Sequence, residues 1–268
     1  MKLTFLTFQC FLVLSFVTLT SQAQTIRLVF GEPTPIADKS VEINKSLAPR
    51  NIPITHRGYV LSYNVTRHSA DWVAWHLSKG DMGPFRTNAF RADEILPPPV
   101  RVPGDTFGST YDRGHMCPSE DRSSTLEGNR ETFLMSNMQP QFFTLNRGIW
   151  KGLEGYVQTL VKKGQEAYLW AGCYGDLGKV NDLVTIPAFC WKIVLLLPEG
   201  SGDLRRANRN TRLIAVIMPN KKPPIPGWGN YRTTVRAIEQ ATGLDFLTEL
   251  SPQLQTILET RQDSVSVR

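Results

Sequence analysis

Cysteine and histidine are scarce in this sequence, with 4 of each among 268 residues, and none falls into a Cys-x-x-Cys or His-x-x-x-His spacing. A structural zinc module, which needs paired ligands at such spacings, is excluded. Internal repeats and low-complexity stretches are absent, so repeat scaffolds and disordered tails are excluded as well. No charge of one sign dominates: 30 Lys and Arg face 24 Asp and Glu, a net charge of +6. Beyond residue 19 there is no apolar run long enough to cross a bilayer. What is present, 41% apolar and 20% charged residues, suits one globular domain with a sizeable core.

The single long apolar run covers residues 3–19, with Lys2 before it and Ser21-Gln22-Ala23 after it. Polar Thr7, Gln9, Ser15 and Thr18 interrupt it, so residues 1–23 read as a secretory signal cleaved near Ala23 rather than a membrane anchor. The expected destination is secreted or periplasmic, with no stable membrane association after cleavage. Cys10 leaves with that segment, and the remaining chain is still basic. A basic surplus speeds encounters with polyanions without identifying one. In an oxidising compartment Cys173 and Cys190, on candidate neighbouring strands, are expected to form a disulfide, with Cys117 packed as a free thiol.

Residues 24–54 lack sustained periodicity and read as an N-terminal arm, with the folded domain at 55–268. Alternation of apolar and polar residues predicts a strand over 59–65, a second strand is expected over 72–77, and short apolar runs predict strands over 167–173, 183–186, 189–197 and 212–218. Pro97-Pro98-Pro99 cannot donate to a sheet ladder, so residues 80–110 should form a long ordered loop. Helices are predicted over 125–133, 146–163 and 233–241, the second because Ile149, Leu153, Val157, Leu160 and Val161 recur on one face. The fold class is α+β, with a largely antiparallel sheet.

Four consecutive residues, Asp112-Arg113-Gly114-His115, draw the chemical argument. Hydrolysis of a phosphodiester needs an activated water, a cation to offset developing charge and positive donors for the phosphate. Neutral imidazole titrates near physiological pH, which makes His115 the best general base. His56, His68 and His76 lack comparable company and read as surface or packing residues. Asp112 reads as a turn or ion-pair residue, and Trp72, Trp75, Trp150 and Trp191 as core. Arg205, Arg206, Arg209 and Arg212 form a cluster that suits either DNA steering or a solvated loop.

Together with Ser136-Asn137-Met138-Gln139-Pro140-Gln141 and Leu145-Asn146-Arg147-Gly148-Ile149-Trp150-Lys151-Gly152-Leu153-Glu154, this run resembles the DNA/RNA non-specific endonucleases, the ββα-metal nucleases. The similarity extends from about Leu61 to the C-terminus, through Trp72-Val73-Ala74-Trp75, Cys190-Trp191-Lys192-Ile193-Val194 and Thr242-Gly243-Leu244-Asp245-Phe246-Leu247. The resemblance implies a ββα-metal fold and Mg²⁺-dependent cleavage of DNA and RNA to 5′-phosphate products, with Mn²⁺ as a substitute. It further implies His115 as general base, Asn146 as direct metal ligand and Glu154 as the acid beside the metal's water shell. Arg113 falls on the motif's arginine, in a catalytic and phosphate-binding role. Arg86 falls on a phosphate-contacting arginine, and Asn137 on a polar residue supporting the active-site hydrogen bonds.

Asn146 and Glu154 are eight residues apart, about 12 Å of rise in a continuous helix, which favours direct ligation by one and water-mediated contact by the other. One departure stands out. The family commonly carries arginine four residues after this glutamate, where this chain has Gln158, so a phosphate-clamping charge is missing there that Arg147, Lys151 or Arg122 could supply. Two rivals remain: a catalytically dead nucleic-acid-binding protein, and a phosphodiesterase acting on small nucleotides or lipid head groups.

Overall fold

The computed structural model describes residues 28–36, 51–222 and 225–267. The signal-like segment lies outside the described residues. In chain order the strands are β1 (Thr34–Pro35), β2 (Asn51–Thr55), β3 (Val60–Asn64), β4 (Ser69–Leu77), β5 (Asp112–His115), β6 (Met138–Gln141), β7 (Gln165–Tyr174), β8 (Lys179–Val180), β9 (Val184–Thr185), β10 (Phe189–Pro198), β11 (Arg212–Pro219), β12 (Arg232–Thr233) and β13 (Leu244–Asp245). The helices are α1 (Leu126–Thr132), α2 (Lys151–Lys162), α3 (Asp203–Arg206), α4 (Val235–Thr242) and α5 (Pro252–Glu259).

Seven strands form one antiparallel sheet in the order β12-β11-β10-β7-β4-β3-β2. Its central strands are apolar on both faces because both are covered. On one side, Leu153, Val157 and Val161 of α2 pack with Val73, Trp75, Leu169 and Val194. On the other, Val235 and Ile238 of α4 and Leu258 of α5 pack with Trp170, Trp191 and Ile193. Each such side chain contributes about 1.5–3 kcal/mol by leaving water. The four tryptophans read as core are buried. Cys173 and Cys190 sit directly opposite on β7 and β10 and form a disulfide, which closes a loop worth about 3 kcal/mol. Cys117 is buried and free, and burial pushes its thiol far above the usual range.

Three expectations need correction. The stretch read as an arm contributes β2, which hydrogen-bonds along all of β3, and also supplies the fully buried Phe30; the sheet therefore begins before Thr55. The strand expected over 183–186 is only β9, paired in a small ribbon with β8. The helix expected over 146–163 is broken: Leu145–Trp150 forms one wide π-type turn in which Gly148 (φ −103°, ψ −110°) leaves helical geometry, and regular helix starts at Lys151. The apolar period passes through this break unchanged, because Ile149 and Leu153 still bury the same way. Helix ends follow ordinary capping: Thr125 accepts from Gly128 N at the start of α1, and Gly243 ends α4 at φ 73°.

Candidate active site

The ribbon β5–β6 and the π-turn leading into α2 build a ββα unit on the α2 side of the sheet. His115 pairs with Met138 and Gly114 with Gln139 across the ribbon. Gly114 is required by close approach, since a Cβ there would lie 2.1 Å from Gln141 Oε1. The ribbon therefore comes down against a buried side chain before it delivers His115.

His115, Asn146, Glu154 and Arg86 line one cavity of about 700 Å³, together with Ser119, Glu120, Arg147, Lys151 and Gln158. The imidazole stands edge-on to Phe133, ring centres 4.8 Å apart, and its buried Nε2 has no hydrogen-bond partner among the described residues. Burial, followed by the charges of Arg86, Arg113 and Lys192, depresses its pKa to about 3. His115 is thus held neutral, with a ring nitrogen unclaimed by protein. Arg86 is anchored by donating to Ser119 Oγ at 2.7 Å.

Asn146 Nδ2 donates to Asp112 Oδ2 at 3.0 Å, which commits the amide nitrogen and leaves Oδ1 as the unclaimed acceptor. Asp112 also receives a two-pronged bond from Arg147, at 2.8 and 2.6 Å. Burial alone would raise the Asp112 carboxyl, but the bonds from Arg147 and Asn146 outweigh it and hold the group below the usual range. Of the turn or ion pair expected at Asp112, the ion pair is seen, with Arg147, and the same carboxylate orients Asn146. Glu154 bonds to the buried Lys192 at 2.9 Å; burial raises its carboxyl, and Lys192 works against that rise.

Two residues expected in the site sit differently. Arg113 lines a separate polar cavity of about 640 Å³ with Asn88, Phe90, Gly104 and Asp105. There its guanidinium lies 3.9 Å over the Phe90 ring and donates to Gly104 O at 2.8 Å. Strand pleating puts Arg113 on the same side as His115, and Phe90, which packs against both, divides the two cavities. Asn137 is fully buried and does not line the cavity; it accepts from Cys117 N and donates to the carbonyls of Cys117 and Thr132, fixing the chain just after His115.

At the departure from the family pattern, Gln158 donates to Asp121 Oδ1 at 2.8 Å while Trp75 Nε1 binds the other oxygen at 2.9 Å. The buried Asp121 is satisfied by neutral donors. Of the three candidate replacements for the missing charge, Arg147 and Lys151 line the cavity, whereas Arg122 is buried and bonds to backbone carbonyls. In the arginine cluster, Arg206 and Arg212 are engaged by Asp203, Glu166 and Asp263. Lys192 escaped sequence reasoning, although it is the lone charge inside the apolar run of β10. A grouping of Glu239, Asp245 and Glu259 lies between α4 and α5 with Arg236 against it, and includes none of the cavity residues.

The sequence profile of DNA/RNA non-specific endonucleases matches residues 39–253. The chain belongs to this family. It is 40% identical over 248 residues to a nuclease of Nostoc sp., covering 91% of this chain and 88% of that one. It is 26% identical to the nuclease of Serratia marcescens, covering 79% and 80% of the two chains. In fold it resembles EndoG as solved in the EndoG/EndoGI complex, with a TM-score of 0.64 and 24% identity over 75% of this chain and 88% of that one. The non-specific endonuclease architecture is the ββα-metal fold seen here, and the family makes the chain a nucleic-acid-hydrolysing enzyme.

Proposed function

We propose that this endonuclease is exported and cuts DNA and RNA with little sequence preference, using a divalent cation, Mg²⁺ or Mn²⁺, with His115 as the general base and 5′-phosphate products. The observation that carries the reading is a neutral His115 lining one cavity with Asn146, Glu154 and Arg86.

The donor set fits a hard divalent cation. Asn146 Oδ1 would ligate it and the Glu154 carboxylate would take its bound water, an all-oxygen arrangement with few protein ligands that suits Mg²⁺. When bound, the cation would offset charge on the phosphoryl and leaving oxygens. The chain's own residues do the rest. Arg86, with Arg147 and Lys151 at the same cavity, holds the scissile phosphate. The neutral imidazole of His115, through the ring nitrogen that faces the cavity, accepts a proton from a water poised opposite the leaving oxygen; that water attacks phosphorus, the P–O3′ bond breaks, and solvent protonates the 3′ oxygen. A bound phosphate offsets the cationic field that depresses His115, so its basicity rises when substrate is present. Contacts to phosphate alone carry no base information, which supports low selectivity.

Export is supported by the signal-like residues 1–23 and by a disulfide, which persists in oxidising compartments. The test is purified protein lacking residues 1–23 with plasmid DNA, RNA and a small phosphodiester, with and without EDTA. Metal-dependent cleavage of both polymers, with 5′-phosphate ends, is expected. Cleavage that survives EDTA, or is confined to the small ester, would refute the reading.

A further inference from the structure

Lys192 is the one charged residue in the inward row of β10 between Cys190 and Val194, and it is 1% exposed. Its Nζ makes a single side-chain hydrogen bond among the described residues, to Glu154 Oε1 at 2.9 Å. The ammonium also lies 4.1 Å from the centre of the Trp150 ring and 5.6 Å from that of Trp75. Trp150 in turn donates its Nε1 proton to His115 O at 3.2 Å. One buried cation therefore touches the carboxylate of the cavity directly and the backbone of the general base through one indole.

A buried lysine is costly unless paired, and its retention inside a packed apolar row calls for a partner that needs it. Glu154 is that partner: it borders the cavity, and no other cation among the described residues bonds to it. Without the ammonium, a buried carboxylate that feels the charge of Asp121 would lose its charged partner and its fixed rotamer. Two aromatic faces and one ion pair leave the Lys192 head little freedom, so it transmits the rigidity of the sheet to the first turns of α2.

We infer that Lys192 is a positioning residue of the reaction, holding the Glu154 carboxylate oriented toward the cavity so that it can order the water shell of the divalent cation. The inference rests on the metal-nuclease reading above. It gives the sheet a part in cation binding that the ββα unit alone does not supply. Because Lys192 acts through Glu154, its removal should matter only while Glu154 is present.

The experiment measures Mn²⁺ affinity without substrate, by calorimetry, together with kcat and KM on plasmid DNA, for wild type, K192M, E154Q and K192M/E154Q. Methionine matches the lysine stem in length, and the double variant leaves no unpaired carboxylate, so it carries the comparison with E154Q if K192M alone folds poorly. Expected is a loss of Mn²⁺ affinity of about tenfold or more in K192M, with kcat falling and KM for DNA little changed, and a double variant no worse than E154Q. Wild-type Mn²⁺ affinity in folded K192M, or independent losses that multiply in the double variant, would overturn the role of Lys192. If wild type itself binds no Mn²⁺, the reading of the whole site has failed and this inference falls with it.

Discussion

Asp112 fixes Asn146: the amide nitrogen of one donates to a carboxylate oxygen of the other at 3.0 Å, and this bond decides which end of the amide is left for a ligand. An asparagine whose amide could flip would present nitrogen and oxygen in turn. Here the flip would set two acceptors against each other, carboxylate oxygen against amide oxygen.

The D112N variant tests that relationship. With an amide at residue 112, the fixed donor–acceptor pairing is lost, and Arg147 loses its ionic partner. Mg²⁺ affinity should fall about tenfold or more, as for other groups that orient metal ligands, with the fold retained by circular dichroism. Unchanged affinity would show that Asn146 needs no orienting carboxylate.

The pH dependence has a defined sign. His115 in the free enzyme has its pKa lowered from 6.5 to about 3, so it stays in the base form across the mildly acidic range. With saturating Mg²⁺, the acid limb that His115 imposes on kcat/KM should therefore lie below pH 6.5, and the limb on kcat, which reports the substrate complex, should lie higher. A histidine limb on kcat/KM near its ordinary value would contradict the cationic, dehydrated setting of this ring.

Gly114→Ala should destabilise the protein by about 1–3 kcal/mol, because the new Cβ must displace a buried glutamine side chain. Since β5 carries His115, activity should fall even where the variant remains folded. Thermal melts and rates measured on the same preparation check both effects, and a fully active, equally stable G114A would refute the close approach.

A second titration sits away from the cavity. Glu259 is buried beside Glu239, and burial followed by that neighbour raises its carboxyl well above 4.5. A folded pKa above the unfolded one means the folded state holds the extra proton. Its stabilisation is complete at low pH and is lost as pH rises through the raised value. E259Q, which mimics the protonated form, should flatten the fall in Tm between pH 5 and pH 9. An unchanged slope would assign that fall to other groups.

Much of the fold was legible because its signals are local. The strand expected over 189–197 became β10, and the one over 212–218 became β11, since a short apolar run bounded by Gly, Pro or Asp marks a buried strand whatever the tertiary arrangement. The break at Gly148 was not legible, because a wide turn preserves which side chains are buried while changing where Asn146 points. The same blindness covers Arg113 and Asn137. Motif position gave them a common site with His115, yet Phe90 separates the first into a neighbouring cavity and backbone carbonyls claim the second. Lys192 was visible as an isolated charge in an apolar run, a signal that identifies a buried cation but does not name its partner.

Whether His115 is the base of a metal-dependent hydrolysis is decided by H115A, with kcat on plasmid DNA and Mg²⁺ affinity measured on the same protein. A loss of about 10²–10⁴ in kcat with Mg²⁺ affinity unchanged is expected, because the base and the cation ligands are separate residues. An H115A protein that cuts at the wild-type rate would contradict it.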